Sequence, residues 1–135
     1  MIIAICGSLS FTDEIEQVAK TLTALGHKVL LPNGVENRII FRKDFDRKQS
    51  KIKTDAIRKH FIKIEKSDVV LVCNYTKNNI ENYIGANTFI EMAYAYYLNK
   101  PVFLLNELPD MPYIDDELAT INLTVISGDL NKIMI

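Results

Sequence analysis

Cysteine and histidine are scarce in this 135-residue sequence, which has two of each: Cys6, Cys73, His27 and His60. Two cysteines do not make a disulfide framework, and with two histidines at these spacings they do not match a zinc-binding motif. We expect both cysteines to be reduced side chains in the core. No dinucleotide-binding fingerprint occurs either, so the sequence predicts no metal and no other cofactor.

Long apolar runs and a strong excess of one charge are also missing. The formal net charge of −1 gives no general reason to expect nucleic acid or a membrane surface as the partner. The most apolar segment, residues 84–98, contains Glu91 and is followed by Pro101, so it is a poor membrane span. The segment MIIAICGSLSF has no basic start and is interpreted as a strand, not a signal peptide. We therefore expect a cytoplasmic protein.

The composition is typical of a globular domain, with 48% hydrophobic and 24% charged residues. A chain of this length buries about two-thirds of its unfolded surface in one core and is too short for two ordinary domains. We expect one domain over residues 1–135.

Strand and helix patterns alternate along the chain. Apolar runs predict strands at residues 1–6, 27–32, 68–74, 100–106 and 122–127. Apolar residues repeating every three or four positions predict helices at 12–25, 51–66, around Glu91 and at 115–120, with a long loop at 34–50. Strands this apolar must be covered on both faces. The pattern predicts an α/β fold: a doubly wound, flavodoxin-like, five-stranded parallel sheet in the order 2-1-3-4-5.

In this topology ligands bind beyond the carboxyl ends of the strands, where the strand order reverses between the first and third strands. Two polar segments are expected there, CGSLSF after the first strand and CNYTKNNIENYIGAN after the third. Gly7 and Ser8 would let backbone N–H groups approach a phosphate or sugar oxygen. The alternative is that Gly7 only makes a tight turn.

Glu91 is the single charged side chain in the helix-forming segment 84–98. If Asn87 and Thr88 start the helix, Glu91 falls within its first turn and a half, near the positive end of the helix dipole. No basic residue lies three or four positions away to pair with it. A partly shielded, ionised carboxylate here suits a nucleophile, or a charge that stabilises an oxocarbenium-like sugar cation. The alternative is an exposed glutamate that only favours the helix dipole.

The segments ICGSLSF, SDVVLVCN and above all GANTFIEMAYAYYLNKPVFLL followed by SGDLNKI resemble the nucleoside 2-deoxyribosyltransferase superfamily, which includes 2-deoxynucleoside 5-phosphate N-hydrolases. In that family a glutamate attacks the anomeric carbon of a deoxyribonucleoside, releases the base and forms a covalent sugar ester. The resemblance implies this role for Glu91 and a sugar or phosphate contact for Gly7 and Ser8. It also implies a homodimer or higher homo-oligomer. The apolar tail NKIMI and Tyr94, Tyr96 and Tyr97 would suit such an interface; the alternative for the tyrosines is ordinary core packing.

The sequence departs from the family pattern at the helper positions. Ala4 stands where the hydrolases have a tyrosine. Gly85 stands near the position of a transferase aspartate, with Glu81 as the closest acid. A second family aspartate falls near His60, where the nearest substitutes are Asp55 and Asp68. Asp68 is expected at the wrong end of its strand and is interpreted as a turn residue.

Positive charge is concentrated in residues 38–66, which hold eleven of the sixteen lysines and arginines against four acids. A nucleotide phosphate would suit this segment, with Arg58, His60, Arg42 and Lys43 as candidate contacts. The alternative is a solvated helix face and loop. No combined aromatic and basic motif for nucleic-acid recognition is present.

Two functions are predicted. The first is cleavage of the N-glycosidic bond, or base exchange, on a (deoxy)nucleoside or nucleoside 5-monophosphate, with Glu91 as nucleophile. The second is a catalytically silent nucleotide-binding or sensing module of the same fold; in a purely structural domain, Glu91 would only cap a helix. A second carboxylate about 5 Å from Glu91 would favour the first. The expected substrate contacts are Gly7, Ser8, Asn74, Tyr75, Gly85, Asn87, Arg58 and His60, with Tyr75 and Tyr83 as candidates to stack on the base.

Overall fold

The computed structural model describes residues 1–40 and 53–135 and contains a five-stranded parallel sheet in the order β2-β1-β3-β4-β5. The strands are β1 Ile2–Gly7, β2 Lys28–Leu30, β3 Val69–Cys73, β4 Val102–Leu104 and β5 Leu123–Val125. The helices are α1 Thr12–Ala24, α2 Asn33–Ile40, α3 Lys53–Lys66, α4 Ala86–Tyr97 and α5 Asp115–Thr120. Each neighbouring pair of strands is parallel, which confirms the predicted doubly wound topology.

The pairing of β1 with β3 sets the edge where the strand order reverses. Ile3 pairs with Val69 and the register continues until Gly7 lies level with Cys73. The segments that follow the two strands therefore leave the sheet at the same edge. Asp68 lies at the opposite edge, as expected, and its carboxylate accepts a hydrogen bond from the Ile2 N–H at 2.6 Å.

Side chains alternate along the central strands, so each face of the sheet has its own core. One face carries Ala4 and Cys6 together with buried residues of α3 and α4. The other face carries Ile3, Ile5 and Cys73 together with buried residues of α1 and α2. Both cysteines are free and buried, as predicted, and they lie on opposite faces of the sheet.

The predicted loop at residues 34–50 is wrong in its first part, because these residues begin within helix α2. Val35 is fully buried and packs with Ile39, one turn later, into the core shared with α1. The Pro32 carbonyl accepts a hydrogen bond from the first turn of the helix. The Pro-Asn-Gly sequence therefore starts a short helix instead of a loop. The rest of the predicted loop, with Arg42 and Lys43, and the first two residues of the helix predicted at 51–66 lie outside the described residues.

The described helices are short. The longest, α3, has 14 residues, whereas a membrane span needs about 20. Within residues 1–40 and 53–135, no helix combines the length and the apolar character needed to cross a bilayer.

Gly7 ends β1 at a crowded junction. A Cβ at this position would meet Ile15 Cδ1 at 2.9 Å and the Cys73 carbonyl oxygen at 3.3 Å. We predict that Gly7→Ala lowers the free energy of unfolding by about 1–3 kcal/mol, because the methyl group overpacks this junction. Urea unfolding measures the change.

Gly85→Ala is the matched control for this prediction. Its Cβ would lie 3.5 Å from the nearest atom, on the Tyr83 ring, which is an ordinary contact. We expect this variant to lose less than about 1 kcal/mol. Equal losses in the two variants would show that the Gly7 junction tolerates a side chain.

Candidate active site

The carboxyl group of Glu91 faces an imidazole and a thiol inside the protein. The Cys6 Sγ lies 3.5 Å from His60 Nε2, and His60 Nε2 lies 3.7 Å from Glu91 Oε2. The three side chains come from β1, α3 and α4 respectively. We refer to Cys6, His60 and Glu91 as the buried cluster. It lies near the carboxyl end of β1, because Cys6 is the next-to-last residue of that strand.

Local sequence patterns direct these side chains inward. On α3, His60 precedes the buried Ile64 by four residues, so both lie on the core-facing stripe of the helix. On α4, Glu91 lies between the buried Thr88 and Ala95 on the same kind of stripe. Glu91 is 8% exposed, which excludes the alternative of an exposed glutamate.

Burial makes the charged forms of the buried cluster costly. Desolvation raises the pKa of Glu91 to about 7, and the hydrogen bond from the Cys6 thiol to the carboxylate offsets part of this effect. Desolvation also lowers the pKa of His60 to about 4. The positive charge of Lys63 adds to this decrease, and a hydrogen-bonding interaction with the Ile5 backbone opposes it. Burial raises the pKa of Cys6 well above its usual value. At neutral pH the imidazole is therefore uncharged, so its contact with Glu91 is not an ion pair.

Helix α4 begins earlier than predicted. Gly85 is the N-cap, Ala86 is the first helical residue, and no side chain caps the helix. The predicted start at Asn87 and Thr88 is therefore wrong, and Glu91 lies in the second turn. Since the helix dipole acts mainly within the first turn, it does not outweigh desolvation at Glu91. The expectation of an ionised carboxylate holds only above about pH 7.

Arg58 and His60, predicted as joint phosphate contacts, lie on different sides of α3. Arg58 is exposed, whereas His60 is 1% exposed. Two residues span about 200° around a helix, which explains the separation. His60 contacts Glu91 and Cys6 in the interior, and its predicted contact with a substrate stays a prediction. A phosphate contact by Arg58 stays a prediction.

Asn74, predicted to orient the sugar, uses its amide to join two loops. Its Nδ2 donates to the carbonyl oxygens of Asn106 at 3.3 Å and Glu107 at 3.0 Å. Its Oδ1 accepts a hydrogen bond from the Asn106 N–H at 2.9 Å. Because the side chain is buried and these groups are already paired, the structure gives Asn74 a structural role.

Ser8 lies at the reversal edge beside a cation that sequence reasoning missed. The Ser8 Oγ accepts a hydrogen bond from the Ser10 N–H at 3.2 Å and caps the 3₁₀ turn Leu9–Phe11. Lys77 Nζ, from the loop after β3, donates to the same oxygen at 3.3 Å. The sequence places Lys77 in the segment CNYTKNNIENYIGAN, which is expected at this edge. This position in the sequence is the signal that could have identified Lys77.

Tyr75 lies on the other side of the sheet from Glu91. Its ring packs against Phe11 at a centroid distance of 5.1 Å, within the α1 side of the core. It borders an open groove of about 460 Å³ that also contains Asp13 and Glu14. Tyr83 packs on the same face as the buried cluster. Of the predicted stacking residues, Tyr83 is therefore the one on the Glu91 side.

Gly85 and Asn87 occupy the start of α4. Gly85 is the N-cap residue, and Asn87 is exposed in the first turn. Their predicted contacts with a substrate stay predictions.

The tyrosines expected at an interface divide into two groups. Tyr96 and Tyr97 are exposed, as is the end of the tail at Ile135. Tyr94 instead stacks on Phe61 at a centroid distance of 4.1 Å, between α4 and α3. The oligomeric state stays a prediction.

The buried cluster also groups three side chains that bind metal ions. Cys6, His60 and Glu91 each offer one ligand atom, and these atoms lie within 4.8 Å of one another. The sequence argument against a zinc site considered cysteine and histidine and left out the carboxylate. It also had no means of bringing β1, α3 and α4 together.

A scan against protein-family models and a search of curated proteins each found no match. Solved structures share the fold. The 2-deoxyribosyltransferase of the psychrotolerant bacterium Bacillus psychrosaccharolyticus is 23% identical, with a TM-score of 0.52 over 77% of this chain and 71% of that chain. The CMP N-glycosidase BcmB of Clostridium botulinum is 17% identical, with a TM-score of 0.55 over 93% of this chain and 87% of that chain. At the level of the fold, these structures confirm the resemblance predicted from the sequence motifs.

The role of Asn74 can be tested by stability. We predict that Asn74→Ala lowers the free energy of unfolding by about 1–3 kcal/mol, because it removes hydrogen bonds to the part-buried backbone of Asn106 and Glu107. Asn87→Ala, at an exposed position, is the control and should change stability by less than about 0.5 kcal/mol. Urea unfolding of both variants measures the difference. An Asn74 variant as stable as wild type would exclude the structural role.

Glu91 and His60 should affect stability in opposite directions as the pH changes. Between about pH 4.5 and 7 the folded state keeps a proton on Glu91 that the unfolded state has lost, so the Glu91 contribution to stability falls as pH rises. Between about pH 4 and 6.5 the unfolded state binds a proton on His60 that the folded state does not, so the His60 contribution rises with pH. The two effects oppose each other where the ranges overlap.

We predict that single variants reveal the two slopes. The stability of Glu91→Gln relative to wild type should rise by up to about 1.4 kcal/mol per pH unit from about pH 4.5 to 7. For His60→Gln the difference should fall with a similar slope from about pH 4 to 6.5. Denaturant unfolding at a series of pH values, in the presence of a chelator, measures both. A difference that does not vary with pH would show that the group is not desolvated in the folded state.

Proposed function

We propose that this protein cleaves the N-glycosidic bond of a (deoxy)nucleoside or nucleoside 5-monophosphate, with water or a second base as the acceptor. The observation that carries the proposal is the buried carboxyl of Glu91 near the carboxyl end of a central strand. Ligands of doubly wound sheets bind at this end. The fold is also that of a 2-deoxyribosyltransferase and a CMP N-glycosidase.

In the proposed reaction the ionised Glu91 carboxylate attacks the anomeric carbon of the sugar. The bond to the base breaks, and its electron pair leaves with the base, which is protonated from water. The resulting sugar ester is then attacked by water or by another base, and Glu91 is released as a carboxylate. A pKa of about 7 leaves a large fraction of Glu91 ionised at neutral pH.

His60 and Cys6 hold the carboxyl of Glu91 from its buried side. Both are almost completely inaccessible to solvent, whereas Glu91 keeps a small exposed fraction. The thiol hydrogen bond favours the ionised form of the carboxyl. We infer that the accessible part of Glu91 faces the substrate, and that the interior contacts fix its orientation.

The positions of Ser8 and Lys77 support the proposal that the substrate carries a 5-phosphate. Lys77 Nζ lies 3.3 Å from Ser8 Oγ, so a cation and a hydroxyl are adjacent at the reversal edge. Ser8 follows Cys6 by two residues, which corresponds to about 7 Å of extended chain. The buried cluster and the Ser8–Lys77 pair therefore both lie near the carboxyl end of β1. Backbone N–H groups near Ser8 add donors suited to phosphate oxygens.

A catalytically silent nucleotide-binding module is the second candidate. Among the described residues, burial and the Cys6 thiol shift the pKa of Glu91, and no second carboxylate contributes to the shift. A carboxylate pair was the feature expected to favour catalysis. Ala4 also replaces the tyrosine of the hydrolases that the sequence resembles.

Base release tests the proposal. We predict that the wild-type protein releases or exchanges a base when incubated with deoxyribonucleosides or their 5-monophosphates, with and without a second free base. Glu91→Gln should lower the rate by at least about 1,000-fold, because the amide is not a nucleophile. Chromatography of the products separates hydrolysis from base exchange.

Glu117→Gln is the matched control, since Glu117 is an exposed carboxylate on α5 and is not part of the buried cluster. It should keep the wild-type rate. If wild type turns over no substrate but a nucleotide raises its melting temperature, the binding-module candidate replaces the enzyme. If neither occurs, both candidates fail.

A further inference from the structure

We propose that Cys6, His60 and Glu91 form a binding site for a divalent transition metal of the zinc class. A metal held there would occupy the carboxylate of Glu91. The site itself is independent of the proposed function. Only its consequence, inhibition of base release by bound metal, depends on Glu91 being the nucleophile.

The distances in the buried cluster fit a tetrahedral zinc centre. Zinc bonds of about 2.3 Å to sulfur and 2.0–2.1 Å to nitrogen place these two ligands about 3.6 Å apart at a tetrahedral angle. The Cys6 Sγ and His60 Nε2 are 3.5 Å apart. A nitrogen and a carboxylate oxygen on zinc are about 3.4 Å apart, and His60 Nε2 and Glu91 Oε2 are 3.7 Å apart. The third pair, Cys6 Sγ and a Glu91 carboxylate oxygen, lies within 4.8 Å, whereas sulfur and oxygen on one zinc ion are about 3.6 Å apart. Side-chain movement is therefore needed to close the site.

The donor set also fits the charge of the ion. A thiolate and a carboxylate carry two negative charges, which a divalent cation cancels, and a neutral imidazole adds none. The occupied site would be neutral, as a desolvated interior requires. Sulfur, nitrogen and oxygen together favour zinc or cobalt over magnesium or calcium, which prefer oxygen ligands.

The exposure of the three side chains and the hydrogen bonding of His60 indicate a weaker, partly open site. Cys6 and His60 are inaccessible, so an ion enters past Glu91, which keeps some exposure. Three protein ligands leave a fourth position for water. The Ile5 backbone acts on the His60 ring, but within the described residues His60 Nδ1 has no well-formed hydrogen bond, whereas ligating histidines usually have one. We therefore expect weaker binding than in a structural zinc site.

Cobalt titration tests the site without any enzyme assay. Metal-free protein, kept reduced with a phosphine, is titrated with Co²⁺, and the thiolate-to-cobalt charge-transfer absorption is followed in the near ultraviolet. We expect the band to appear with wild type and to be displaced by Zn²⁺. The band should be lost in Cys6→Ala. In His60→Gln and Glu91→Gln the affinity should fall by at least about 10-fold.

Cys73→Ala is the matched control, because Cys73 is the other buried cysteine and lies on the opposite face of the sheet. It should bind Co²⁺ as wild type does. Absence of the band in wild type would overturn the proposal. So would a band that survives in Cys6→Ala or disappears in Cys73→Ala. If Cys6→Ala does not fold, Glu91→Gln decides, and an unchanged affinity in that variant rejects the site.

Inhibition of base release by bound metal is tested by a separate measurement. If the protein releases base, Zn²⁺ should inhibit the reaction and a chelator should restore it. If no base is released, the spectral titration still decides whether the site exists. Base release that Zn²⁺ leaves unchanged, in protein shown to bind the ion, would contradict the role of Glu91 as both ligand and nucleophile.

Discussion

The parallel pairing of β1 with β3 is the constraint on which the rest of the structure depends. It aligns Ile3 with Val69 and ends with Gly7 beside Cys73, where an added side chain would clash. The same register brings Lys77 next to Ser8, although they are far apart in the sequence. It also fixes which face of the sheet Cys6 points to, and therefore which helices it meets. The site is thus a consequence of strand register as much as of the side chains in it.

Burying the ionisable side chains of the buried cluster beneath α3 and α4 costs free energy. Desolvation opposes the charged forms of Glu91, His60 and Cys6. Replacing buried ionisable groups by apolar residues of similar volume is often neutral or stabilising. Ionisable side chains with strongly shifted pKa values are characteristic of functional sites. The buried cluster is therefore the strongest structural reason to look for chemistry at this position.

The sheet was predictable from the sequence because its strands are short, apolar and separated by helical patterns. Helix α2 was missed because Val35 and Ile39 give only one repeat of the helical period, directly after a Pro-Asn-Gly turn signal. Glu91 could be identified because a charge in an apolar segment is conspicuous. Its partners could not, because Cys6 and His60 look like an ordinary core residue and a surface residue until β1 and α3 are packed together. Asn74 shows the opposite difficulty, since an amide at a strand end suits a ligand and a loop equally well.

The reactivity of the two cysteines can be used to measure local opening of the structure without an added label. Cys6 and Cys73 are both buried, one beneath α3 and α4 and one beneath α1. A thiol reagent can reach either sulfur only when the layer above it separates from the sheet. The two modification rates therefore measure the opening of the two layers separately, and they distinguish motion of the helices that carry His60 and Glu91 from unfolding of the whole chain.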